Sequence, residues 1–90
     1  MRVLVIEDDG EVARYIRKAL NEAGHPTDVA SDGQCGLAQA RDGQYDVLVV
    51  DRMLPGLDGL SIVSELRASG NATPALILSA LGEVDDRVMG

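Results

Sequence analysis

The sequence predicts an α/β domain in which helices cover both faces of a parallel sheet. Three short, wholly apolar runs, at residues 3–6, 47–50 and 75–78, predict interior strands, because the strands of a parallel sheet are buried on both faces. Helical patterns separate these runs, and such alternation is typical of doubly wound folds with right-handed crossovers. Ninety residues suffice for one hydrophobic core, so we expect a single domain.

The first strand and the helix after it have the clearest pattern. The strand ends in three consecutive acids, Glu7, Asp8 and Asp9. Asp9 is a suitable N-cap for a helix whose apolar residues recur at helical spacing from Val12 onward. Gly24 provides the C-terminal stop of that helix.

A more polar strand and a weaker helix follow. A proline opens the alternating segment at residues 27–30, and a strand that begins at a proline belongs at a sheet edge. Ser31 and Asp32 cap a helix that we expect to end near residue 42. Gly36 lies within this helix at a cost of about 1 kcal/mol relative to alanine, and we expect it to permit close packing on the sheet.

The second half of the chain repeats the alternation. Residues 47–50 form the central strand, and Asp58 is a suitable N-cap for a third helix that Gly70 stops. The run at residues 75–78 is the third interior strand. Residues 82–88 show the beginning of a further helical pattern. The predicted order is therefore βαβαβαβ with the start of a fourth helix.

The composition excludes several classes of function. The net charge of −7, from 15 acidic and 8 basic residues, argues against direct nucleic-acid binding, which needs a basic surface. The single cysteine, Cys35, excludes an internal disulfide and fits a reducing compartment. No apolar run approaches the roughly 20 residues of a membrane span, and no signal peptide precedes the first strand. We therefore expect a cytoplasmic domain without membrane contact.

Polar side chains follow all three interior strands of the predicted sheet. Glu7 and Asp8 follow the first strand, Asp51 follows the central strand and Ser79 follows the third. The carboxyl ends of parallel strands share one edge, which is where open α/β sheets bind ligands. Carboxylates gathered there repel one another, and a hard divalent cation such as Mg²⁺ offsets that repulsion. The simpler alternatives are that Asp9 is only an N-cap, that Ser79 is only a loop hydroxyl or helix cap, and that the acids form a solvated rim.

In these motifs the sequence resembles the receiver domain of bacterial two-component response regulators. The matching stretches are residues 3–9, residues 51–59 and residues 78–80. The amino-acid sequence of residues 53–59 and 82–88 is most similar to that of regulators that carry a winged-helix DNA-binding domain. The resemblance implies a flavodoxin-like sheet with the strand order 2-1-3-4 for the strands present. It also implies a sensor histidine kinase as partner and regulation of transcription through an attached output domain.

The resemblance further implies a role for each candidate site residue. Asp51 would accept a phosphoryl group from a kinase phosphohistidine. Asp8 would bind Mg²⁺ directly, Glu7 through water, and Met53 through its backbone carbonyl. Ser79 would hydrogen-bond a phosphoryl oxygen and report phosphorylation to the adjoining helix. On this interpretation the chain is not an enzyme but a phosphoacceptor that promotes its own phosphorylation and dephosphorylation.

The sequence departs from the family pattern at its end. Family members continue with a fifth strand, a lysine that pairs with the phosphoryl group, an aromatic switch residue and a fifth helix, whereas the only lysine here is Lys18 on the first helix. We therefore expect residues 1–90 to be a truncated receiver domain that lacks the fifth strand and fifth helix. Residues 75–78 would then become a flat apolar edge strand, and we expect self-association through it or through bared helix faces.

Two other interpretations remain open at the level of sequence. A phosphatase of the haloacid-dehalogenase type also uses a strand-end aspartate with Mg²⁺, but it needs a second aspartate two residues later, where this chain has Met53. A non-catalytic interaction or oligomerisation module would use the same acids only as a solvated rim. Saturable Mg²⁺ binding that depends on Asp8 distinguishes a receiver domain from such a module.

Overall fold

The chain folds into one sheet with helices on both sides, as a computed structural model that describes residues 1–78 and the backbone of residues 84–89 shows. The elements in chain order are β1 Val3–Ile6, α1 Gly10–Glu22, β2 Thr27–Ala30, α2 Gly33–Asp42, β3 Val47–Asp51, α3 Gly59–Ala68, β4 Ala75–Leu78 and β5 Val84–Met89. The spatial order of the strands is β2-β1-β3-β4-β5. The first four strands are parallel and follow the predicted order 2-1-3-4.

Strand β1 lies at the centre of the fold, and all four of its residues are buried. It pairs with β2 on one side and with β3 on the other, so that Ile6 lies opposite both Ala30 and Val50. This burial on both faces confirms the interpretation of its apolar run. The proline-initiated strand β2 lies at the edge of the sheet, also as predicted.

Helices α2 and α3 cover one face of the sheet and form the main core with it. Each begins at a glycine, and the aspartate before each glycine is its N-cap: Asp32 accepts a hydrogen bond from the Cys35 backbone at 2.8 Å, and Asp58 accepts one from the Ser61 backbone at 2.9 Å. Gly36 is buried, and a Cβ atom there would lie 2.6 Å from the Ile6 side chain. The expectation that Gly36 permits close packing on the sheet is confirmed.

Helix α1 packs against β1 and β2 on the opposite face. Its predicted N-cap is confirmed, because Asp9 accepts hydrogen bonds from the backbones of the first helical turn. Its predicted stop is also confirmed, since Gly24 adopts a φ of 89° in the left-handed region. The apolar face of α1 is only partly covered, however: Ala13 is buried, whereas Val12 is 40% exposed and Tyr15 is 77% exposed.

Polar contacts tie the strands together at the edge where they begin. The backbone N–H of Arg2 donates to the Asp46 carboxylate at 2.7 Å, which joins the starts of β1 and β3. The Arg2 guanidinium lies 3.6 Å from the Asp28 carboxylate on β2 and above the Tyr45 ring. The Tyr45 hydroxyl donates to the same Asp28 carboxylate at 2.7 Å. This edge is therefore held by attractive contacts.

The predicted start of a fourth helix is wrong over residues 84–89. These residues form β5, which pairs antiparallel with β4 through an irregular register, with Leu78 opposite Val84 and Leu76 opposite Val88. A short segment gains little from an isolated helical turn, because helix nucleation is costly, whereas the open edge of β4 offers unpaired N–H and C=O groups. The remaining part of the helical prediction, residues 82 and 83, lies outside the described residues.

Strand β5 corrects one expectation about the sheet. It runs antiparallel to the other four strands, so the parallel fifth strand of the family is absent from the described part of the chain, as predicted. Because β5 pairs with β4, residues 75–78 do not form an edge, and the premise of self-association through that strand is wrong. Within the described residues, no helix is both long and apolar enough to cross a bilayer.

Candidate functional site

Three carboxylates converge where strands β1 and β3 end. Glu7 and Asp8 directly follow β1, and Asp51 is the last residue of β3. Because β1 and β3 pair in register, with Ile6 opposite Val50, the next residue of each strand is brought to the same edge. One carboxylate oxygen from each of the three side chains lies within 4.8 Å of the others. The predicted convergence of these acids is confirmed.

Glu7 is the buried member of this cluster, with 6% of its surface exposed. The pKa of its carboxyl is raised from 4.5 to about 7, first by burial, then by a hydrogen bond with Asp51 and by the charges of Asp51 and Asp8. The Asp9 backbone N–H, which donates to Glu7 Oε1 at 3.2 Å, acts in the opposite direction. Among the described residues, no cationic side chain acts to lower the pKa of Glu7.

Asp8 and Asp51 are open to solvent to different degrees. Asp8 is exposed, whereas Asp51 is half-buried. The ion pairs formed by Arg2 with Asp28 and by Arg41 with Glu65 involve other carboxylates. The cluster thus extends from the buried carboxyl group of Glu7 to the solvent-exposed carboxylate of Asp8.

The loop after β3 shapes the third side of the site. The backbone N–H of Met53 donates to Asp51 Oδ1 at 3.2 Å, which orients the carboxylate. Leu54 is buried and anchors the loop, while the Met53 side chain is 63% exposed. Gly56 adopts a φ of 79°, a backbone conformation that residues other than glycine rarely adopt. The loop is therefore fixed at Leu54 and turns sharply directly afterwards.

The remaining sequence-based assignments have mixed outcomes. Met53 lies beside Asp51 as expected, and the role of its carbonyl stays a prediction. Asp9 acts as the N-cap of α1, which is the simpler of its two interpretations. Ser79 lies outside the described residues, so its placement and role stay predictions. The close approach of Gly59 to the Asp51 backbone, 2.5 Å from a Cβ position to the carbonyl oxygen, was not predicted. The sequence does place a glycine at that helix start, but spacing alone gives no distance to Asp51.

The chemistry of the cluster fits a hard divalent cation. Three carboxylates supply oxygen donors, which Mg²⁺ prefers. No cationic side chain among the described residues lowers the pKa of Glu7, and a bound cation would supply positive charge there. The cluster contains neither histidine nor cysteine, so its donors do not suit a structural zinc site.

The sequence is similar to many curated proteins. Residues 3–90 match the family described as the response regulator receiver domain. The chain is 44% identical over 89 residues to the transcriptional regulatory protein PcoR of Escherichia coli, covering 99% of this chain and 39% of that protein. It is 40% identical to the transcriptional regulatory protein CusR of Escherichia coli K12, covering 100% of this chain and 40% of CusR. The chain thus spans about two fifths of the length of these curated relatives.

Solved structures show the same architecture. The receiver domain of the Francisella response regulator 1452 superimposes with a TM-score of 0.86 at 43% identity, covering 91% of this chain and 68% of that one. The response regulator TrrA of Thermotoga maritima, solved in complex with Mg²⁺-BeF, superimposes with a TM-score of 0.83 at 29% identity, covering 88% of this chain and 69% of TrrA. With the sequence match extending over nearly all of its length, this chain belongs to the response regulator receiver domain family.

Proposed function

We propose that this domain accepts a phosphoryl group on Asp51, with Mg²⁺ held by Glu7, Asp8, Asp51 and the Met53 carbonyl. A sensor histidine kinase would donate the group from a phosphohistidine. The observation that carries the proposal is the convergence of three carboxylate oxygens within 4.8 Å, at the edge of the sheet where such folds bind ligands.

Each residue of the site has a distinct part in this chemistry. An Asp51 oxygen would attack phosphorus, so that an O–P bond forms while the N–P bond of the phosphohistidine breaks and the imidazole leaves. The N–H of Met53, which donates to Asp51 Oδ1, holds the carboxylate in one orientation. A bound Mg²⁺ would neutralise charge on the transferred group, which is a main requirement in phosphoryl transfer.

Glu7 and Asp8 would serve as ligands of the cation from different depths. Exposed Asp8 would bind it directly, and buried Glu7 would act through water. The Mg²⁺-BeF complex of TrrA supports this assignment, because that protein shares the fold of this chain at 29% identity. Ser79 would contact the phosphoryl group, an assignment that follows from the family resemblance alone.

The biological setting is proposed from the relatives. PcoR and CusR are transcriptional regulators, and this chain matches about two fifths of each. We infer that phosphorylation of residues 1–90, as a receiver domain, controls an attached output domain that regulates transcription in the cytoplasm. The domain would be the acceptor in this pathway rather than an enzyme that acts on a separate substrate.

Phosphorylation by acetyl phosphate tests the proposal. Intact-mass spectrometry after incubation with acetyl phosphate and Mg²⁺ should detect one added phosphoryl group, and Asp51→Asn should abolish it. Asp42→Asn, which changes an exposed carboxylate at the end of α2, is the matched control and should be labelled normally. Labelling that persists in Asp51→Asn would show that the acceptor has been assigned to the wrong residue.

Calorimetric titration with Mg²⁺ tests the metal site separately. Asp8→Asn should weaken the affinity at least tenfold, whereas Asp9→Asn should leave it within about twofold, because asparagine is also a good N-cap. Equal Mg²⁺ affinities for Asp8→Asn and the unmodified protein would exclude Asp8 as a ligand and favour the interpretation of a solvated acidic rim.

A further inference from the structure

Gly59 lies in direct contact with the backbone of the proposed phosphoacceptor. A Cβ atom at this position would lie 2.5 Å from the carbonyl oxygen of Asp51 and 3.1 Å from the Cα atom of Arg52. The N–H of Gly59 also donates to the Arg52 carbonyl at 3.1 Å. The first residue of α3 is therefore packed directly against the backbone at the end of β3.

Conformational freedom does not explain this glycine. Its φ lies outside the left-handed region, unlike that of Gly56 or Gly70, so any residue could adopt its backbone conformation. Gly10 provides an internal comparison, because it is also the first residue of a helix, and a Cβ atom there would meet nothing within 4 Å. A helix start in this chain thus does not require such a contact. What requires glycine at position 59 is the closeness of the Asp51 backbone.

A second glycine supports the far end of the same loop. Gly33 is the first residue of α2, and a Cβ atom there would lie 2.7 Å from the Leu57 carbonyl oxygen and 3.0 Å from the Leu57 Cβ atom. Its φ is also outside the left-handed region. The loop at residues 52–58 consequently rests on the N-termini of two helices, with no side chain between them at either contact.

We propose that Gly59 and Gly33 are positioning residues that fix the loop at residues 52–58 relative to the sheet, so that the Asp51 carboxylate lies next to those of Glu7 and Asp8. This inference rests on the proposed function for its effect on phosphorylation. A methyl group at position 59 must move the Asp51 carbonyl by roughly 0.5 Å or more, because close-packed interiors transmit such strain rather than absorb it. Site geometry must be held to within about 0.5 Å, so a displacement of this size misaligns the acceptor.

The test compares alanine substitutions at equivalent helix starts. Gly59→Ala should weaken Mg²⁺ affinity about fivefold or more and slow labelling by acetyl phosphate about tenfold or more. Gly33→Ala should have a smaller effect in the same direction, since Leu57 is further from Asp51. Gly10→Ala should leave both quantities within about twofold, and far-UV circular dichroism should show that the variants are folded.

A measurement without metal separates this inference from the proposed function. In EDTA, the amide resonance of Met53 reports its hydrogen bond to Asp51, so Gly59→Ala should shift that resonance and Gly10→Ala should not. If the unmodified protein neither binds Mg²⁺ nor accepts a phosphoryl group, the proposed function is contradicted. The shift of the Met53 resonance in Gly59→Ala still tests the positioning role of Gly59 in that case.

Two results would overturn the inference. One is a folded Gly59→Ala protein with unchanged Mg²⁺ affinity, labelling rate and Met53 resonance. If Gly59→Ala does not fold, Gly33→Ala decides the question, and a folded Gly33→Ala protein with an unchanged Met53 resonance and unchanged Mg²⁺ affinity would refute the positioning role.

Discussion

Replacing Glu7 with glutamine should stabilise the metal-free protein, and the gain should increase with pH. Burial, together with a hydrogen bond to Asp51 and its charge, raises the pKa of the Glu7 carboxyl from 4.5 to about 7. The folded state therefore holds this proton more tightly than the unfolded chain does. The free-energy cost of ionising Glu7 is absent below pH 4.5, grows between pH 4.5 and about 7, and is fully present above that range. Glutamine does not ionise, so the variant avoids this cost.

The magnitude follows from the linkage between proton binding and folding. At about 1.4 kcal/mol per pKa unit, a rise from 4.5 to about 7 lowers the free energy of unfolding by about 3 kcal/mol at pH 8. The same relation gives a cost of about 1 kcal/mol at pH 5.5. The advantage of Glu7→Gln over the unmodified protein should therefore grow by about 2 kcal/mol between these two pH values.

Urea unfolding in EDTA, followed by far-UV circular dichroism at pH 5.5 and pH 8, measures this difference. Glu65→Gln is the matched control, because it changes an exposed carboxylate that forms a surface ion pair with Arg41 at 3.8 Å. Such pairs contribute less than about 1 kcal/mol, so the control should show a small effect that is similar at both pH values. If the advantage of Glu7→Gln is the same at pH 5.5 and pH 8, burial and repulsion do not act on Glu7 as described.

Three further predictions concern the framework that supports the site. Asp58→Ala should lower the free energy of unfolding by about 1 kcal/mol, and Asp58→Asn by much less, because only alanine removes the acceptor for the Ser61 N–H. Equal losses of stability for the two variants in urea unfolding would contradict this prediction. In the same assay, Ile62→Ala should cost about 2–5 kcal/mol, whereas Leu60→Ala, at a side chain that is 37% exposed, should cost less than about half as much. Deleting residues 84–90 should leave β4 unpaired and promote self-association, so a purely monomeric mass by light scattering would argue against the protective role of β5.

Local patterns predicted the first four strands and the starts of the helices. The wholly apolar run of β1 is buried on both faces, and the apolar run of β3 ends at Asp51 as expected. The three helix caps, Asp9, Asp32 and Asp58, were also predicted, because capping depends on residues within one turn. Convergence of Glu7 and Asp51 followed from the rule that parallel strands end at the same edge.

Strand β5 was not predicted because its sequence fits two patterns. Val84 and Val88 have the spacing of one helical face, but they are also β-branched residues that favour strands. A segment of six residues is too short for periodicity to distinguish the two. The decision comes from the open edge of β4, which lies in the tertiary structure and leaves no mark in the local sequence.

The depth of each site residue was likewise beyond sequence reasoning. Glu7 and Asp8 are adjacent acids, yet one is buried and the other exposed, because successive side chains near a strand end point to different sides. The glycine at position 59 has no local feature that distinguishes it from Gly10. Only the packing of α3 beneath β3 separates the two.

The two edges of the sheet differ in how firmly they are held. At the edge where the strands begin, Arg2 and Tyr45 join three strands through contacts with Asp28 and Asp46. At the edge where they end, the carboxylates of Glu7 and Asp51 repel each other whenever both are ionised. Local opening of the metal-free sheet should therefore start at the strand ends that carry Glu7 and Asp51 and extend toward the strand starts that Arg2 joins. A cation that draws the carboxylates together would hold closed the end of the sheet where opening is expected to start. Cation binding would then order the ends of β1 and β3 and align the proposed acceptor in the same step.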